Sequence, residues 1–231
     1  MISHNHKCIF VHIPKTAGQS VENFFLSDLG LDWKARLPLH LGSNSEKSIG
    51  PPKLAHLTAL EYVQHHYVSK SLFDNYFKFA FVRNPYDRTY SFYKCMYYNR
   101  IMSFNTFVEE KLQNKLWEEE FWFLRPQVDF IFDSDLKKIV DFVGKYETLN
   151  QDFETVLSSL NLVKNNLPHK NKTSDKISLG RLIYLIKKDF SFLKLPLSIN
   201  VNSKYEYTPK VKAIINRLYE KDFEAFDYQV L

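Results

Sequence analysis

The chain has 231 residues, 45% of them hydrophobic, and a formal net charge of +5. That length suits a single α/β domain, residues 1–231, with a full core. No apolar run reaches the roughly 18 residues of a membrane-spanning helix, which excludes stable membrane insertion, and no nucleic-acid module accompanies the dispersed lysines.

Cys8 and Cys95 are too few for a disulfide framework and fit a reducing compartment. Residues 1–7 are polar and run straight into the first strand, without a signal peptide or anchor. The expectation is a soluble, cytoplasmic, bacterial protein, unless an anchor has been trimmed away.

Residues 8–13 are apolar and β-prone, and they predict a buried strand that stops at Pro14. Lys15, Thr16, Ala17, Gly18, Gln19 and Ser20 follow, opening an amphipathic helix over 18–29. Such a strand, turn and helix start gathers free amide N–H groups and the positive end of the helix dipole beside a lysine, which is how a phosphate-sized anion is held. The run is not a Walker A loop, because no glycine stands upstream of Lys15-Thr16. The turn is therefore shorter, and the lysine sits beside the first phosphate. A buried strand, a proline turn and an incidental lysine fit the same residues. His4, His6 and Cys8 share one strand face but are spread too far for a tetrahedral metal site.

Residues 30–53 read as irregular, 56–69 as a helix and 78–83 as a second buried strand. Asn84 and Pro85 then form a helix start, with Asn84 as N-cap, for a helix over 86–99. Arg83 lies at the strand's carboxyl end, and Ser91 about two turns into the helix. A guanidinium fork and a hydroxyl there can share one phosphate; Arg83 can equally pair with Asp87. Further helices are expected at 104–113, 124–132 and 149–160, a third strand at 138–144, a polar mobile loop at 164–180 and a closing helix at 209–224. Strands alternating with helices imply a parallel sheet with ligands at the strands' carboxyl ends.

Pro14-Lys15-Thr16-Ala17-Gly18-Gln19-Ser20 and Arg83-Asn84-Pro85-Tyr86-Asp87-Arg88-Thr89-Tyr90-Ser91 together resemble the two signature segments of sulfotransferases that use 3′-phosphoadenosine 5′-phosphosulfate (PAPS). The match is nearest to the family-2, carbohydrate O-sulfotransferase type. Arg125-Pro126-Gln127, residues 144–153, residues 167–171 and residues 219–223 continue the likeness in the family's order, from about residue 8 to residue 228. The resemblance implies a P-loop-like three-layer α/β domain with a central parallel sheet flanked by helices. It implies PAPS as donor, 3′-phosphoadenosine 5′-phosphate (PAP) as product, no metal, and an acceptor hydroxyl, usually on a carbohydrate.

By that resemblance Lys15 assists the leaving phosphate. Thr16 to Ser20 hold the 5′-phosphate, Arg83 and Ser91 hold the 3′-phosphate, and Lys172, with His169 and Lys170 nearby, helps to cover the cofactor. Arg125 and Gln127 would line the acceptor cleft; Arg125 can instead pair with the acidic run 118–120. Of eight histidines, His56 is the candidate base, since it follows the Pro51-Pro52 turn at a predicted helix start between the two motifs. Capping is its alternative role, and His40 is a weaker competitor. Arg88 and Asp87 are expected to brace their helix, and Tyr146 and Glu147 to support the site. A P-loop kinase or NTPase, and a non-catalytic glycan-binding protein on the same fold, are the competing readings. The acceptor's identity and the oligomeric state are not encoded in any readable motif.

Overall fold

The computed structural model describes residues 1–163, 167, 179–197 and 207–231. Its sheet has the order β1-β2-β3-β4, with β1 Ile2–Ser3, β2 Cys8–Val11, β3 Phe77–Val82 and β4 Phe142–Lys145. The last three are parallel, as expected, and β1 adds a short antiparallel edge that periodicity cannot detect.

Alternation along β2 and β3 sorts the core into two faces. Ile9, Val11, Ala80 and Val82 point into one cluster, with Tyr62, Phe73 and Ile131. Those partners come from α2 Ala59–Gln64, α3 Lys70–Asn75 and α7 Val128–Ile131. Cys8, Phe10, Phe79 and Phe81 point the other way, onto Phe25 of α1 Gly18–Asp28 and Phe153 of α8 Leu149–Ser159. The sheet is thus the middle of three layers. A third, largely aromatic cluster packs α4 Pro85–Cys95, α5 Phe104–Phe107, α6 Lys115–Leu124, α9 Leu179–Lys188, α10 Pro209–Leu218 and α11 Glu220–Ala225 together.

Several boundaries differ from expectation. The helix placed at 56–69 is a 3₁₀ turn, Leu54–His56, followed by α2, which starts at a capping box between Thr58 and Glu61. The strand placed at 138–144 begins at Phe142, because Lys138 pairs with Phe132 in a small bridge. The helix placed at 124–132 is split, α6 ending at Leu124 and α7 starting at Val128 around Pro126. The helix at 209–224 breaks at Tyr219, whose ring is buried. The expected loop at 164–180 falls mostly outside the described residues, and α9 begins at Leu179. Among the described residues no helix is long and apolar enough to cross a membrane.

Candidate active site

Parallel register places the carboxyl ends of β2, β3 and β4 at one edge of the sheet, with Val11 opposite Ala80 and Val82 opposite Lys145. The segments that follow, 12–17, 83–84 and 146–147, therefore meet there.

The turn after β2 is tight and strained. Lys15 and Ala17 both have left-handed backbone, at φ 71° and 67°, a conformation that disfavours side chains with a Cβ. Thr16 is fully buried, and its hydroxyl closes the turn on the Ile13 carbonyl at 2.8 Å. Ala17 is the N-cap of α1 and supplies no side-chain acceptor, so the helix's first N–H groups keep the dipole's positive end open. Lys15 is half-buried, Gln19 exposed and Ser20 buried. Gly18 is required by close approach: an added Cβ would lie 2.1 Å from Cδ2 and Nε2 of His12.

His56 is tied directly to this turn. Its Nδ1 donates to the His12 carbonyl at 2.9 Å, and the two rings meet edge-on at 4.4 Å. A carbonyl can only accept, so Nδ1 carries the proton and the neutral ring keeps its lone pair on Nε2. Burial, then the neighbouring His12, hold the His56 pKa well below the ordinary histidine value, so the ring is neutral at pH 7. His40 does not join this group; its ring meets Tyr67 edge-on at 4.5 Å.

Arg83 is held in place from three other parts of the chain. Gln127 takes both of its backbone groups: Oε1 accepts the Arg83 N–H and Nε2 donates to the Arg83 carbonyl, each at 2.8 Å. Asp222 holds Gln127 in turn, accepting from its Nε2 at 3.2 Å and from the Val128 N–H at 3.0 Å. Glu147 accepts the Asn84 N–H at 2.9 Å, and the Arg83 guanidinium lies 4.0 Å over the Tyr146 ring. Asn84 caps α4 as expected, accepting the Tyr86 N–H. Arg83 stacks on Tyr146 instead of pairing with Asp87, and its buried Nε has no hydrogen-bond partner among the described residues. Ser91 is half-buried on α4, and Tyr146 and Glu147 take the supporting positions expected of them.

Arg88 joins the two halves. It is buried, and it donates Nε to the Pro14 carbonyl, one terminal nitrogen to that of Arg125 and the other to that of Phe123, each at 3.0 Å. Expected to brace its own helix, Arg88 instead ties α4 to the turn after β2 and to the end of α6. Gln127, expected in an acceptor cleft, is fully buried with its amide used on Arg83 and Asp222. It supports the site from behind. Arg125 stacks on Phe121 and Phe130 at 5.6 and 5.3 Å, not on the 118–120 carboxylates, of which Glu120 pairs with Lys188. Lys172, His169 and Lys170 lie outside the described residues.

Sequence reading passed over Asp222 and the buried His12–Glu22 pair, whose Nδ1 and Oε1 are 2.6 Å apart. A signal for the pair existed. Glu22 falls on the same helical face as Gly18, Val21 and Phe25, and His12 interrupts an otherwise apolar strand end. Asp222 lies in the family-like stretch 219–223, but nothing in that stretch gives it a role.

An uncapped, lysine-bearing turn and a braced arginine thus share one edge of the central sheet. Over residues 1–229 the chain matches the model of the sulfotransferase family, and it belongs to that family. It is also 34% identical, over 100 residues, to an uncharacterized protein of Archaeoglobus fulgidus, a stretch covering 41% of this chain and 76% of that one. No solved structure gives a significant match.

Proposed function

We propose that the protein transfers the sulfuryl group of PAPS to an acceptor hydroxyl on a carbohydrate, with His56 as general base and Lys15 at the leaving phosphate. The observation that carries this reading is the tautomer of His56, whose Nδ1 proton is committed to the carbonyl of His12, three residues before Lys15. Its Nε2 lone pair is thereby available within the same buried corner as the anion turn.

The residues present fit a nucleotide phosphorylated at two positions. The N-terminus of α1 carries no side-chain cap, and Arg83 offers a buried Nε with no partner among the described residues. Thr16 to Gln19 would receive the 5′-phosphate through backbone amides, because the Thr16 hydroxyl is already engaged, and Ser20, whose N–H goes to the Ala17 carbonyl, would add its hydroxyl. Arg83 and Ser91 would receive the 3′-phosphate, with Tyr146 keeping the guanidinium plane in place. Lys172 remains a candidate for covering the nucleotide, and Arg125 for the acceptor side.

When bound, PAPS supplies a sulfuryl group on a good leaving phosphate. His56 Nε2 takes the proton of the acceptor hydroxyl as the new S–O bond forms, and the ammonium of Lys15 neutralises the charge left on the departing oxygen. Positioning and charge stabilisation then account for most of the rate, as in phosphoryl transfer.

Thermal stability should be followed while the protein is titrated with PAP and, separately, with Mg-ADP. A shift with PAP that Arg83→Ala abolishes is expected; a shift with Mg-ADP alone would refute the reading in favour of an NTPase. Transfer of radiolabelled sulfate to a panel of unsulfated glycans should disappear in His56→Ala. Undiminished transfer by that variant removes His56 as the base.

A further inference from the structure

The anion turn and the candidate base are joined by a buried pair that the transfer chemistry above does not use. His12 and Glu22 are 5% and 1% exposed, and the bond between Nδ1 and Oε1 is 2.6 Å long. A carboxylate accepts, so the shared proton belongs to Nδ1. The opposite edge of the His12 ring, Cδ2 and Nε2, covers Gly18, within 2.1 Å of where a Cβ would stand. A third side of the same residue serves His56, through the ring contact at 4.4 Å and the carbonyl that accepts from Nδ1. One imidazole therefore touches both the start of α1 and the candidate base.

Its rotation is set by Glu22. That residue lies about one turn beyond Gly18 on α1, so the carboxylate and the anion turn move as one rigid piece. Without the carboxylate, the His12 ring loses its one side-chain hydrogen-bond partner among the described residues and is free to leave Gly18 and His56.

We propose that Glu22 is a positioning residue for the transfer reaction, clamping the His12 ring between Gly18 and His56. This rests on the reading of His56 as the base. The clamp keeps the base and the phosphate-binding amides in fixed relation, the kind of alignment whose loss lowers turnover more than binding.

Glutamine at position 22 preserves volume but offers a donor as well as an acceptor, so it releases His12 to either tautomer. Long-range ring spectra of the full chain, labelled with 15N-histidine and saturated with PAP, should show Nδ1 of His12 protonated in the wild type. In Glu22→Gln they should show a mixture. Sulfate transfer from PAPS to the glycan panel should fall about tenfold or more in kcat for Glu22→Gln, with the Kd for PAP within about threefold. A purely structural pair would lower melting temperature and leave kcat unchanged. Unchanged kcat in folded Glu22→Gln overturns the proposal. So does a bare Nδ1 in wild-type His12, a measurement that needs no variant to fold. The two readings fail differently: transfer by wild type and Glu22→Gln alike sinks the clamp alone, whereas a PAP-bound wild type that transfers nothing sinks the transfer reading and the clamp's role with it.

Discussion

Gly18→Ala is the sharpest perturbation the structure offers. The new methyl would stand 2.1 Å from two atoms of the His12 ring and 2.5 Å from a third. Ordinary carbon contacts are about 3.5–4.0 Å, so the ring must retreat by roughly 1.5 Å. It has nowhere to go cheaply, being bonded to Glu22 at 2.6 Å, stacked on Phe10 at 5.5 Å and set against His56 at 4.4 Å. Overpacking costs about 1–3 kcal/mol, and breaking the buried bond to Glu22 adds about 1–3 more. For a chain of this size that sum, about 2–6 kcal/mol, lowers the melting temperature by roughly 4–24 °C. Gly180→Ala is the control, because nothing lies within 4 Å of its Cβ and its helix should gain up to about 1 kcal/mol. Thermal unfolding of both variants checks the argument. A Gly18→Ala protein melting within about 2 °C of the wild type would refute the idea that the ring is wedged.

Arg88→Lys should destabilise by about 2–4 kcal/mol despite keeping the charge, since one ammonium cannot serve the carbonyls of Pro14, Phe123 and Arg125 together. Urea midpoints would reveal it, and a loss below about 1 kcal/mol would contradict the bracing role. Asp222→Asn turns an amide N–H₂ toward either the Val128 N–H or the Gln127 amide, and should cost about 1–3 kcal/mol while weakening PAP binding through Arg83. Calorimetric titration with PAP should detect the second effect; unaltered affinity would disconnect Asp222 from the site. Burial lowers His40 from 6.5 to about 4, and His56 is depressed in the same direction. Groups of this sign stabilise the fold above pH 6.5 and lose that contribution as pH falls toward 4, because the unfolded chain takes up the protons first. His40→Gln should therefore flatten the fall of the urea midpoint between those values, and an equally steep fall would rule His40 out as a source of the slope.

Much of the architecture was legible because local signals and tertiary packing agreed. The apolar runs before Pro14 and Arg83 became parallel neighbours, and Asn84-Pro85 capped α4 as its residue types require. Where tertiary contacts overruled local pattern, the reading slipped. Residues 209–224 look continuous in sequence, but the buried ring of Tyr219, 5.9 Å from the Arg88 guanidinium, sits where the helix breaks. The Thr58-x-x-Glu61 capping box was available to place the start of α2 and would have left His56 in the preceding turn. For the site, the anion turn and Arg83 came from motif spacing. The inward aim of Gln127 did not, since a glutamine after Arg-Pro carries no mark of which way it will face. The contact between His12 and Glu22 depends on how tightly the turn folds back, and a one-dimensional pattern states only that both residues sit near it.

The bracing of Arg83 also dictates when the site comes into being. Gln127 fixes both backbone groups of Arg83, and Asp222 of α11, far along the chain from β3, fixes Gln127. On a ribosome, β2 and β3 can pair long before α11 has emerged, so a nascent chain can own a sheet and still lack the bracing of Arg83. On the role proposed for Arg83, nucleotide capture waits for α11 to dock, and bound nucleotide would report that docking.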